Sequence, residues 1–312
     1  MSPRGPVAGS GMTKPRAAAV SIVSNSVLIA LKLAAAAITG SVAILSEALH
    51  SMIDLIASVV AFVSVRKADE PADVDHPYGH EKLENVGAAI EAMLILVGAG
   101  VIVYEAVNRL STGATVDQLG LGIAVIAFSG LANVGVSRFL SRQAKRQNSP
   151  ALAGDAAHLG TDAFTSAGVL AGLLLVQITG ANAIDSIVAI IVAGVIVVTG
   201  VRLLRRSTGV LADEAPPPEE MDRVEAAIAR ARADAPEVVG YHKLRARTGR
   251  RTYVDMHVQF AAGTTLEHAH EVAHRLRDAI EADLGDAEVL IHVEPESSRR
   301  DPAESPSAFR AG

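Results

Sequence analysis

Residues 46–54 read SEALHSMID, inside a block that is otherwise apolar from Val42 to Val65. Glu47, His50, Ser51 and Asp54 stand at offsets of zero, three, four and seven, so on an α-helix they form one polar stripe. The stripe has a counterpart about a hundred residues later. Asp155, His158, Asp162 and Ser166 are also spaced by three and four, and they share one helical face. The chain therefore carries His50-x-x-x-Asp54 and His158-x-x-x-Asp162 in two long apolar segments. An Asp at the centre of a membrane span costs about 2.5–3.5 kcal/mol on insertion scales, and such residues mark ion pathways and relays. Two helices facing each other would pool two imidazoles and two carboxylates. That set suits a tetrahedral divalent site, with zinc the first candidate. The lack of thiolate disfavours copper(I), and two imidazoles disfavour magnesium or calcium. The plainer alternative is a set of interhelical hydrogen bonds that only hold a bundle together.

Composition supports a membrane setting for these helices. Of 312 residues, 50% are hydrophobic and 20% charged, with a mean hydropathy of +0.32. Most charged residues lie in connections and in the C-terminal third, which predicts a membrane part followed by a soluble part. The net charge of −6 averages two dissimilar halves. With no cysteine, any metal site must use His, Asp or Glu. Residues 1–16 carry basic groups but no compact apolar core with a cleavage site, so a removed signal peptide is not expected. Met12 is an alternative start.

Six segments reach the roughly 20 residues that a crossing requires. They lie near 17–39, 43–66, 84–108, 118–140, 156–179 and 182–203. Alternate connections (ITGSVA, STGATVDQLG and ITGANAID) are short and rich in Gly, Thr and Ser. The others are basic: Arg4, Lys14 and Arg16; Arg66, Lys67 and Lys82; Arg138, Arg142, Lys145 and Arg146; Arg202, Arg205 and Arg206. Thirteen basic residues thus face essentially Arg109 alone. The positive-inside rule places both termini in the cytoplasm.

After Pro216-Pro217-Pro218 the pattern becomes that of a small soluble domain. EEMDRVEAAIARARA has helical periodicity; VVGYHKLRARTG and RRTYVDMHVQF read as strands around a turn. A second helix covers about 265–284, and AEVLIHVEP is a last strand. The αββαβ order predicts a small α+β sandwich, ferredoxin-like or metallochaperone-like, with its helices on one sheet face. The domains are then a cytoplasmic segment 1–16, a six-helix all-α transmembrane bundle 17–207, a cytoplasmic α+β domain 208–296 and a disordered tail 297–312.

The remaining histidines fall into two sets. Asp73-x-x-His76-x-x-x-His80 is compact enough for one short loop to offer three ligands to one metal, although a solvated polar loop has similar composition. In the last domain, strand alternation puts His257 on the polar face, and His292 with Glu294 on one face opposite Val289, Ile291 and Val293. HEVAH at 270–274 matches the H-E-x-x-H zinc-protease signature. A helix in a domain of this size encloses no substrate cleft, so that reading is set aside and no enzymatic activity is expected.

SEALHSMID followed by DEPADVDHPYGHEKLE and HLGTD, with six spans and a small α+β domain, resembles the cation diffusion facilitator family over about residues 17–296. The resemblance implies a homodimeric proton-coupled exporter of divalent cations, with His50, Asp54, His158 and Asp162 as its transport site. His50 is similar to the zinc-type pattern, since some bacterial members have Asp there and manganese-type members tend toward Asp-x-x-x-Asp in both helices. It further implies a loop metal site at Asp73, His76 and His80, and a dimer charge interlock between Lys82 and Asp213. A regulatory zinc site of the cytoplasmic domains would comprise His242, His257, His270, His292 and Glu294, with Glu standing where the family has Asp.

On this reading Zn²⁺ is substrate and regulatory ligand. The protein is an integral membrane protein of a bacterial inner (plasma) membrane, with metal ions, protons and lipid as partners. No organic cofactor and no nucleic-acid partner is expected. Glu47 and Asp155, one turn from the ligands, are candidates for a proton relay. The alternatives are a membrane-anchored metal sensor or scaffold without transport, a channel, or the same transporter with Co²⁺, Cd²⁺ or Fe²⁺ as cargo.

Overall fold

The computed structural model describes residues 12–39, 42–112, 121–179, 183–249 and 251–296. Some helical side chains near the ends of those ranges, those of Glu47 and His50 among them, lie outside the described set, as does the tail at 297–312. The chain forms two compact units, residues 1–211 and 212–312.

The first unit is a bundle of six helices: α1 (Lys14–Thr39), α2 (Val42–Ala68), α3 (Leu83–Thr112), α4 (Leu121–Gln147), α5 (Pro150–Thr179) and α6 (Ala183–Leu211). They pack most extensively as α3 on α6, α4 on α5 and α1 on α2. Several helices run beyond the apolar segments that announce them. α4 continues to Gln147, α5 begins at Pro150 and α6 extends to Leu211. Hydropathy locates only the apolar part of a helix, whereas Arg, Lys and Gln propagate the backbone equally well into water. Arg66 and Lys67 end α2, and Lys145 and Arg146 end α4, each placing positive charge at the negative end of a helix dipole. The α4–α5 junction is only Asn148-Ser149. Asn148 takes a positive φ of 46°, and Ser149 Oγ accepts the Leu152 N–H at 3.3 Å as an N-cap, with Pro150 at the first helical position.

The bundle is turned outside in relative to a water-soluble protein. Val23, Val27, Val97, Val101, Ile187, Ile191 and Val198 are exposed, whereas Ser21, Asn25, Asp54, Ser58, Glu91, Asp155 and His158 are buried. An apolar exterior around a polar interior is what a lipid solvent selects. Among the described residues, Lys14–Ala35, Leu83–Asn108 and Ser186–Leu211 are each long and apolar enough to cross a bilayer. Small residues let the helices approach closely. A Cβ on Gly87 of α3 would lie 2.6 Å from Ser64 Cβ of α2.

The second unit comprises α7 (Pro218–Ala233), β1 (Val238–Thr248), β2 (Thr252–Phe260), α8 (Leu266–Leu284) and β3 (Ala287–Pro295). This is the αββαβ order the sequence predicts. β2 is central, antiparallel to β1 and parallel to β3. Both helices cover one face. Val224 and Ile228 of α7 join Val272, Leu276 and Ile280 of α8 over Val254, Met256 and Val258 of β2. Thr265 caps α8 by accepting the His268 N–H, and Gly285 ends it at φ 88°. Because this core is closed within the unit, Ile280→Ala should cost about 2–5 kcal/mol locally. Hydrogen exchange on the full chain should show faster opening across β1–β3 and α8, with amides of α1–α6 unchanged.

Candidate metal centre

The polar interior of the first unit centres on Asp54 of α2 and His158 and Asp162 of α5. His158 Nε2 lies 3.4 Å from Asp54 Oδ1 and 3.8 Å from Asp162 Oδ2. One ligand atom from each lies within 4.8 Å of the others, which is compatible with a shared ion. The i, i+4 spacing stacks His158 and Asp162, and contact of α2 with α5 delivers Asp54. His50 stands one turn before Asp54 on α2, but its side chain and that of Glu47 lie outside the described set.

A hydroxyl and amide network holds these helices in register. Ser21 and Ser58 hydroxyls are 2.7 Å apart, and Asn25 Nδ2 donates to Ser58 Oγ at 2.9 Å. Asn25 also donates to the Asp54 carbonyl at 3.3 Å. Asp155, fully buried, accepts at Oδ1 from Ser21 at 3.1 Å and lies 3.2 Å from Ser58 Oγ. α1, α2 and α5 are thereby joined directly beside the cluster. At the bundle end where α1, α3 and α5 begin, buried Glu84 of α3 accepts from Lys14 Nζ of α1 at 2.5 Å and from the hydroxyl of Ser149, the α5 cap.

Besides Glu84, two buried ionisable residues escaped the sequence reading. Glu91 of α3 is fully buried, and Lys32 of α1 is 4% exposed with Nζ donating to Ser51 Oγ at 2.7 Å. Each is a single charge in a long apolar run (GAAIEAMLILVG and LIALKLAAAA). An intramembrane charge is by default a functional signal, so both were legible, but neither belongs to a repeated motif.

The α2–α3 connection organises the second set. Asp73 Oδ1 accepts backbone N–H groups of Asp75 at 3.0 Å and His76 at 2.7 Å. His76 Nδ1 lies 3.4 Å from Asp73 Oδ1, and His80 Nε2 lies 3.3 Å from Asp73 Oδ2. The two rings are 4.4 Å apart. His80 Nδ1 is 3.2 Å from the Pro71 carbonyl. A proton donated there leaves Nε2 as the free lone pair facing Asp73, the arrangement that orients a metal-binding imidazole.

In the second unit, strand register makes the third set. His242 pairs with His257 across β1 and β2, and His257 with His292 across β2 and β3. Three imidazoles therefore stand abreast on the sheet face away from the helices, with centroids 5.1 and 4.6 Å apart. Glu294 is 2.8 Å from His242 Nε2, 2.6 Å from His257 Nδ1 and 3.6 Å from His292 Nε2. Next to His242 the β1 register shifts and Lys243 takes a φ of 52°, a bulge of the kind that re-aims side chains. His270 is not brought to this group. It lies on α8, which packs on the opposite sheet face, and its ring neighbours His274 at 4.3 Å. Asp213 Oδ1 accepts from Arg247 Nη1 at 2.8 Å within this unit.

The chain as a whole is similar to known proteins. The profile described as the cation efflux transmembrane domain matches residues 18–212, and that of the cation efflux protein cytoplasmic domain matches residues 216–296. The uncharacterized transporter sll1263 of Synechocystis is 35% identical over 89% of this chain and 89% of its own length. The cation-efflux pump FieF of Shewanella oneidensis is 29% identical over 89% and 93%. The manganese efflux system protein MneP of Bacillus subtilis is 27% identical over 90% and 95%.

The loop allows a pH prediction. The His76 N–H and the neighbouring His80 hold the Asp73 carboxyl below its ordinary value of 3.8. A depressed carboxyl stabilises the turn above that value, and the contribution is lost as pH falls through the lower folded pKa. The His76 amide should therefore stay protected from exchange at about pH 5 and lose protection only in stronger acid.

Proposed function

Because this chain belongs to the cation diffusion facilitator family, whose members are membrane transporters that expel divalent metal cations, we propose that its cargo is Zn²⁺, exported from the cytoplasm in exchange for protons. The observation carrying this reading is the buried Asp54–His158–Asp162 cluster, an imidazole nitrogen set between two carboxylates inside a bundle with an apolar exterior. Mixed nitrogen and oxygen donors suit zinc better than an all-oxygen set does, and His50 would supply the fourth ligand from the turn before Asp54.

Metal and protons compete for the same atoms. A bound ion requires neutral imidazole and ionised carboxylate, and imidazole changes charge near physiological pH. Protons arriving from outside displace the ion, and the emptied, protonated site returns inward as the helices rock around it. Glu47 and Asp155 are assigned to the proton path.

Zinc at Asp73, His76 and His80 and at the His242–His257–His292–Glu294 row is assigned a regulatory role in a homodimer. His270 would reach that row only from a second protomer, since its own helix lies on the other sheet face. The Lys82–Asp213 interlock would have to share Asp213 with Arg247. Basic residues concentrated in alternate connections support an inner-membrane orientation with both termini cytoplasmic.

In proteoliposomes with an imposed pH gradient, His158→Ala and Asp162→Ala should each lower zinc uptake by more than about tenfold, the loss associated with disrupting even an outer partner of a metal ligand. Uptake at the wild-type rate in either variant would remove the central claim. His50→Asp should raise cadmium relative to zinc transport.

A further inference from the structure

Glu91 has no place in the site as assigned so far. It is fully buried on α3, and neither carboxylate oxygen has a hydrogen-bond partner among the described residues. Its side chain lies against α5 where that helix has no side chain. A Cβ on Gly154 would come 3.1 Å from Glu91 Cγ and 3.2 Å from Ala88 Cα. The next residue is Asp155, whose Oδ2 is likewise buried and without a hydrogen-bond partner among the described residues.

We propose that Glu91 and Asp155 form a second, oxygen-only subsite for the transported divalent cation, about one helical turn to the Pro150 side of His158. The proposal rests on the transport reading of the Asp54–His158–Asp162 cluster and adds a waiting position beside it. Two buried carboxylates present three oxygens without hydrogen-bond partners among the described residues. Left ionised, the pair would place two charges in a low-dielectric interior, where an unpaired charge is most costly. One divalent ion cancels both charges and takes all three oxygens. Ser21 and Ser58 already hold the fourth oxygen, Asp155 Oδ1, which fixes the carboxylate plane. Without imidazole the subsite binds more weakly and discriminates less among metals than the His158 cluster, as suits a position an ion must leave.

The test compares full-length protein in detergent carrying D54N/H158A/D162N with the same variant plus E91Q. Mn²⁺ serves as probe, and bound ions per chain are counted by electron paramagnetic resonance. Adding E91Q should remove one ion per chain, whatever the loop and C-terminal sites retain. Equal stoichiometry in the two proteins, with both monodisperse and helical, would overturn the subsite. With the main cluster intact, E91Q should slow zinc uptake by about tenfold while changing equilibrium affinity at the cluster less than about twofold. A change only in the pH dependence of uptake, with no ion lost in the binding comparison, would make Glu91 a proton carrier and also overturn the subsite. If wild-type protein shows no flux at all, the transport reading fails, and the binding comparison still decides the subsite.

Discussion

Charge buried in a bilayer must be neutralised inside the protein, because the solvent around it offers no compensation. This constraint explains why the interior of α1, α2, α3 and α5 gathers its polar groups into hydrogen-bonded sets. Lys14 meets Glu84 and Ser149 at one end; Ser21, Ser58 and Asn25 hold Asp155 and the Asp54 backbone further in; His158 lies between Asp54 and Asp162 beyond them. Most of these anions have a donor or a nearby imidazole. Among the described residues, Glu91 and one oxygen of Asp155 lack a hydrogen-bond partner.

The C-terminal unit reaches a related chemistry by different geometry. In the bundle, ligands meet because residues four apart stack along one helix and face a second helix. In the sheet, they meet because His242, His257 and His292 occupy facing positions on three adjacent strands. One Glu294 then serves all three rings. A slip of one residue between β2 and β3 would move His292 to the hydrophobic face, so burial of Val289 under α8 also fixes the imidazole row.

Much of this was legible in the sequence because it is periodic. Two H-x-x-x-D motifs define their helical faces without any tertiary information, and alternation along β2 and β3 separates His257, His292 and Glu294 from the core. Features that depend on approach between distant elements were not legible. Glu91 becomes informative only when Gly154 is seen to admit its side chain beside Asp155. The separation of His270 from the other histidines follows from which sheet face α8 covers. At α4, α5 and α6 the helices run beyond the apolar spans, because hydropathy reports the lipid-facing length, not the hydrogen-bonded one. His50 and Glu47 of α2 have side chains outside the described set.

The Lys14–Glu84–Ser149 cluster has a mechanical meaning. It fastens α1, α3 and α5 together at their common starting end, which makes that end a fulcrum. α3 has 30 residues and is about 45 Å long at 1.5 Å per residue. A tilt of about 10° around the fastened end would carry its far end by about 8 Å. Residues two turns from the fulcrum, such as Glu91, would move only about 2 Å. A bundle levered this way would open widely at one mouth and shift Glu91 by about the length of a metal–ligand bond, roughly 2 Å.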